Sequence, residues 1–164
     1  MSDSFQPFEA AVRRASQRVK GMPAQELLLT KLFQHVASRL TDYHDGLLKV
    51  HGVNHTEWSA LVMIYASENG SLKPSELSAY MDSSRTNITR VADELVEKGW
   101  VERCPCGEDR RQVYLRLTKA GYAFLEPLLP TQRERHRRLW ASFTKAEMQT
   151  MEGLLRKLLT QLGG

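Results

Sequence analysis

Residues 72–121 read LKPSELSAYMDSSRTNITRVADELVEKGWVERCPCGEDRRQVYLRLTKAG. Three patterns follow one another in this stretch. The segment "KPSELSAYM" is a short helix with Pro74 in its first turn, where the missing N–H is no loss. A second helix begins within a few residues, at Ser84, and runs to Lys98 with Gly99 as its stop. Along it Ile88, Val91, Ala92, Leu95 and Val96 recur at i, i+3, i+4, i+7 and i+8, an apolar stripe that has to face a core. The period then changes to two. Val113, Leu115 and Leu117 fall on one face, and Tyr114 and Arg116 on the other. With "WVERC" ahead of this run, and Pro105 and Gly107 between, the segment is a β-hairpin.

A short helix, a tight turn, a second helix and a hairpin make a winged helix-turn-helix, in which the second helix enters the major groove of DNA. The rest of the chain is helical. Residues 23–52 predict a long helix, with Pro23 in its first turn, Gly52 at its stop, and Leu28, Leu32, Val36, Leu40, Tyr43 and Leu47 at helical spacing. Asn54 and Glu57 have the spacing of a capping box for the next helix. Beyond the hairpin, Pro127 and Pro130 predict a kink or break. Thr144 and Glu147 form a second capping box, which opens a helix striped by Met148, Met151, Leu154, Leu155, Leu158 and Leu159. The expected organisation is residues 1–53 as N-terminal dimerisation helices, 54–118 as the DNA-binding domain, and 119–164 as C-terminal dimerisation helices. The fold class is mainly α with a small β-hairpin. Long amphipathic helices that outrun a small domain bury their stripes on each other, often across a two-fold axis.

The face of the second helix opposite its apolar stripe carries the chemistry. There, and in the first turn, stand Ser83, Ser84, Arg85, Thr86, Asn87, Thr89 and Arg90. All are hydrogen-bonding residues, suited to phosphates and base edges. The helix N-terminus adds free N–H groups and a positive dipole end. Acids begin only at Asp93, whereas a plain solvated face mixes Glu and Lys throughout. At the hairpin tip, Asp109, Arg110 and Arg111 offer guanidinium groups to the narrow minor groove, where negative potential is highest.

The composition fits this reading without compelling it. In 164 residues, 41% are hydrophobic and 26% charged, and 23 Lys and Arg against 19 Asp and Glu leave a formal charge of +4. The distribution of charge therefore matters more than its total. No window approaches a membrane-spanning helix, and the N-terminus lacks the layout of a secretory signal, so the expected location is cytoplasmic, with no membrane partner. A phosphate-binding Gly-rich loop, a nucleophile elbow and a His-Glu-x-x-His pair are all missing, which argues against an enzyme. The histidines at 35, 44, 51, 55 and 136 have no clear ligand spacing with the cysteines. No cofactor or metal is required.

Cys104 and Cys106 leave three readings open. On an extended strand their Cα atoms lie ~6.5–7 Å apart, so a bond between them is strained. Two thiolates bind soft metals, but a closed zinc site wants four ligands. Arg103, Arg110 and Arg111 could activate a thiol for redox sensing. The third reading is a purely structural turn.

The stretch quoted above, with the Asp109-x-Arg111 wing tip and the Leu117-Thr118-x-x-Gly121 that follows, resembles the MarR family of bacterial regulators. The "SSRTN" helix start and the N-terminal "QELLLTKL" look most like the EmrR/MprA-type branch of multidrug-efflux repressors. The resemblance implies a triangular homodimer on a palindromic operator in double-stranded DNA. It places Arg111 in the minor groove, with Asp109 holding a nearby arginine. It also implies repression of efflux or stress genes, relieved by a small phenolic or amphipathic effector. Candidate residues for that effector are Arg39, Tyr43 and Trp58. The alternative is a redox- or metal-responsive regulator of the same family, sensing through Cys104 and Cys106.

Overall fold

The computed structural model describes residues 4–105 and 113–163. The N-terminal half opens with α1 (Gln6–Arg18) and the long α2 (Ala24–Leu48). A 3₁₀ turn, Lys49–His51, and a left-handed Gly52 (φ 72°) end α2, at the stop the sequence predicts. The lobe that follows contains α3 (His55–Ala66), β1 (Ser71–Leu72), α4 (Pro74–Tyr80), α5 (Arg85–Glu97), β2 (Val101–Pro105) and β3 (Val113–Leu117). The chain then continues through α6 (Lys119–Leu125), a 3₁₀ turn (Glu126–Leu128), α7 (Leu129–Leu139) and α8 (Lys145–Gln161). Pro127 falls inside that turn and Pro130 opens α7, which is the break expected of them.

The core lies in the lobe. Trp58, Leu61 and Ile64 of α3, Leu77 of α4, and Ile88, Val91 and Leu95 of α5 pack against Val101, Leu115 and Leu117 of the strands. The stripe on α5 is therefore buried as expected, with one exception. Val96 lies at the edge of the stripe and stays 36% exposed. The hairpin is also part of a larger unit. β1 pairs antiparallel with β3 (Ser71 opposite Arg116, Leu72 opposite Leu115), so the sheet has three strands in the order β1-β3-β2. Leu72, Val101, Leu115 and Leu117 are buried, and Glu102 and Arg116 point outward and pair with each other at 2.9 Å.

Two local devices fix the lobe. The first is the capping box of α3, where Asn54 Oδ1 accepts from the Glu57 backbone N–H and Glu57 Oε2 accepts from that of Asn54, both at 2.9 Å. The second oxygen of the buried Glu57 takes the ammonium of Lys98, which also donates to the Gly52 carbonyl at 2.8 Å. The C-terminal end of α5 is thereby tied to the start of α3. The second device is the Leu117-Thr118-x-x-Gly121 segment. Leu117 enters the core. Thr118 Oγ1 accepts from the Gly121 backbone N–H, capping α6, and donates to the Gly99 carbonyl at 2.7 Å. Gly121 lies so close to the strand that a Cβ there would be 2.1 Å from the Trp100 carbonyl oxygen. The rings of Trp100 and Phe124 stack above this contact, with centroids 3.9 Å apart.

The outer helices leave apolar faces open. On α2, Leu32, Phe33 and Val36 are 42–49% exposed, and on α8 Leu154, Leu155, Leu158 and Leu159 are 41–63% exposed. The Thr144–Glu147 capping box is formed, and the hydrogen bonds from Thr144 hold the Glu147 carboxyl below its ordinary pKa. Helix α1 lies within residues 1–53, which the sequence reading expects to be helical, but its bounds are not read there. It packs on α2 through Val12, which is buried, and the Phe5 and His35 rings meet at 5.9 Å. Among the described residues no helix is long and apolar enough to cross a membrane.

Candidate nucleic-acid interface

The turn between α4 and α5 sets the direction of the outer face. Ser78 Oγ donates to the Ser83 carbonyl at 2.6 Å, and the Ser83 N–H returns to the Ser78 carbonyl at 3.0 Å. Between them Asp82 takes a left-handed conformation (φ 45°), which Asp tolerates better than most residues. Ser84 is the N-cap, its Oγ accepting from the Asn87 N–H at 3.2 Å. No acid stands in the first turn of α5, so no side-chain charge offsets its positive dipole end.

Above this cap the side chains form one ridge. Asn87 Nδ2 donates to Ser83 Oγ at 2.8 Å, and Arg90 Nη2 donates to Asn87 Oδ1 at 2.9 Å. Arg90 also pairs with Glu94 one turn further on. The spacing 83, 87, 90, 94 keeps all four groups on a single helical row. The row settles which way the Asn87 amide faces. Arg85, Thr86, Thr89 and Arg90 are exposed on the same side and line a shallow groove that ends at Asp93, Glu94 and Glu97. The face is thus cationic and neutral-polar at its N-terminal half and acidic at the other, as the sequence suggested. Asp93 has a further part that the sequence did not disclose. It binds Arg103 of β2 at 2.7 Å, which anchors the wing strand to the helix.

Asp109, Arg110, Arg111 and Cys106 lie outside the described residues. Cys104 sits on β2 opposite Tyr114 and is a free, half-buried thiol. Arg103, proposed above as one of its activators, is committed to Asp93. The guanidinium beside Cys104 is that of Arg116, whose pKa is raised, first by its hydrogen bond to Glu102 and then by Cys104.

The three effector candidates sit on two helices, α2 and α3. Trp58 is 8% exposed and part of the lobe core. Arg39 and Tyr43 are exposed on α2. Among the described residues no hydrogen bond or ring contact joins any two of the three. The histidines depart from expectation in the other direction, since His44, His55 and His136 meet although their sequence spacing gives no sign of it.

Comparison with known proteins agrees with this geometry. A model described as MarR family matches residues 51–112. The transcriptional repressor MprA of Escherichia coli (strain K12) is 41% identical over 162 residues, covering 99% of this chain and 92% of that protein. Sco3205, a MarR family transcriptional regulator from Streptomyces coelicolor solved in complex with DNA, superposes with a TM-score of 0.81 at 24% identity, over 89% of this chain and 92% of that one. A mutant MarR from Escherichia coli, complexed with operator DNA, superposes with a TM-score of 0.72 at 27% identity, over 96% and 99% of the two chains.

Proposed function

This chain belongs to the MarR family, and on that premise we propose that it is a homodimeric repressor that reads a palindromic operator with α5 of each protomer. The observation that carries this reading is the ridge Ser83–Asn87–Arg90, backed by a helix N-terminus with no acid in its first turn. Asn87 and Arg90 are the base readers, because an amide and a guanidinium can each make two bonds to one base edge. Ser84, Arg85, Thr86 and Thr89 hold phosphates and set the register. Arg111 enters the minor groove, Asp109 orients a neighbouring arginine, and Arg110 belongs to the same DNA-contacting set.

Dimerisation follows from the open leucine faces of α2 and α8, which residues 1–53 and 119–164 contribute. Two recognition helices then reach half-sites about one helical turn, roughly 34–36 Å, apart. The regulated genes are those of drug efflux or stress, by analogy with the efflux-repressor branch. A phenolic or amphipathic effector binds between α2 and the lobe, near Arg39, Tyr43 and Trp58. By favouring another spacing of the lobes, it weakens DNA binding.

Genome-wide mapping of bound DNA, with and without a simple phenolic acid, tests these statements together. A shared palindrome upstream of transporter genes, lost on adding the compound, is the expected result. Bound sites without a palindrome would refute the operator reading, and sites unchanged by a panel of phenolics would refute the effector.

A further inference from the structure

The joint between the long helix and the DNA-binding lobe is built from three imidazoles. His44 belongs to α2, His55 is the first residue of α3, and His136 belongs to α7. The ring of His44 stacks on that of His55 at 4.8 Å between centroids and 20° between planes, and it meets that of His136 at 5.2 Å. The backbone N–H of His55 donates to Asp45 Oδ1 at 2.6 Å, so α2 clasps the start of α3 twice. Nδ1 of His55 is buried and has no hydrogen-bond partner. Among the described residues no three such side chains are arranged to hold a metal ion.

We propose that the ring of His44, seated between those of His55 and His136, is an acid-sensitive latch, which holds the lobe against α2 and α7 while it is neutral and releases it when it is protonated.

The charge balance around the rings favours this behaviour. The charged groups acting on His44 are Asp45 from its own helix and Arg135 from α7, with the imidazoles of His55 from α3 and His136 from α7 against it. Asp45 is the single acid among them, and one of its oxygens is already engaged by the His55 backbone. The pKa of His44 is lowered, first by burial and then by His55 and His136, while Asp45 pulls the other way and Arg135 adds to the lowering. A histidine held below its ordinary pKa stabilises the closed form above the ordinary imidazole value, and that contribution is lost as the pH falls through the imidazole range. His136 is exposed, so its replacement perturbs the cluster from the solvent side. A lobe freed from α2 no longer holds the spacing that a palindrome requires, so acid should shift the population away from the DNA-binding form.

The proposal rests on the DNA-binding reading, and the test separates the two. The full chain is titrated onto an operator fragment selected from random DNA, at constant ionic strength with EDTA, between pH 7.5 and 5.5. Thermal unfolding is followed over the same range. Wild type should lose about tenfold in affinity for each unit by which the closed form lowers the His44 pKa. His44→Gln and His136→Gln should flatten both profiles while binding normally at pH 7.5. The second of these lies on the exposed side and guards against misfolding of the first. Parallel profiles for wild type and both variants would overturn the latch. No preference of wild type for any DNA sequence at pH 7.5 would instead refute the DNA-binding reading, and the unfolding profiles would then decide the latch alone.

Discussion

Replacing Arg90 with alanine probes the interface most directly, because the structure gives the energies on both sides. In the free protein the guanidinium is paired with Glu94 at i+4 and bonded to Asn87. The arginine side chain is 55% exposed and the glutamate 35%, so water screens the pair. Exposed helical pairs of this kind are worth about 0.3–0.5 kcal/mol. A bidentate contact to guanine is worth about 1–3 kcal/mol. Such a base contact would outweigh the internal pair, and Arg90 can leave Glu94 at small cost. Arg90→Ala should weaken cognate binding by about 0.5–2.7 kcal/mol, roughly 2- to 100-fold, after that cost is subtracted. Glu94→Gln, which frees the arginine in advance, should tighten binding by about twofold. Fluorescence anisotropy on the operator, on single-base variants and on scrambled DNA measures all of these. Equal loss on cognate and scrambled DNA would show that Arg90 touches only phosphate. A Glu94→Gln variant that binds tenfold more weakly would show that the pair survives in the complex, and the reasoning would fail.

Arg111→Ala should weaken operator binding strongly and leave the melting temperature unchanged, and a gel shift with unaltered affinity would remove the wing from the mechanism. Leu155→Asp combined with Leu159→Asp should leave a monomer in analytical ultracentrifugation, since each leucine buried in an interface contributes about 1.5–3 kcal/mol. An intact dimer would place the interface elsewhere. Lys98→Ala strands the buried Glu57 carboxylate. A fully buried pair would cost about 3–5 kcal/mol to break. Lys98 is 31% exposed, and Glu57 keeps its bond to Asn54, so about 1–3 kcal/mol is expected. That lowers the melting temperature by about 2–12 °C at this chain length. Loss of less than 1 °C in a calorimetric scan would show that water already shields the carboxylate.

What could be read from the chain depended on how local its cause was. The stripe on α5, both predicted capping boxes, the Gly52 stop and the proline break each arise within one or two turns, and each appears where expected. Strand β1 has two residues, too short for any period to show, and it forms because β3 offers it an edge. Helix α1 has few apolar residues between its charges, and its order comes from packing on α2. Val96 was assigned to the core by spacing alone, and its place at the margin of the stripe is a matter of what lies opposite. The polar face of α5 was legible as residue types. The ridge joining Ser83, Asn87, Arg90 and Glu94 needed rotamers, and the Asp93–Arg103 tie needed the strand's position. The histidine joint was the least accessible, because it gathers residues from three helices across more than half the sequence.

The close seat of Gly121 on the Trp100 carbonyl bears on how such a regulator would be lost. Every glycine codon lies one base change from an alanine codon. At this position a single methyl group would have to displace backbone from 2.1 Å. It would push the base of the hairpin away from α6, without touching any residue that faces DNA. Under selection for derepression, a site so small and so remote from the operator should recur among spontaneous mutants. Those mutants would carry an unaltered α5 face in a lobe whose sheet has shifted against α6.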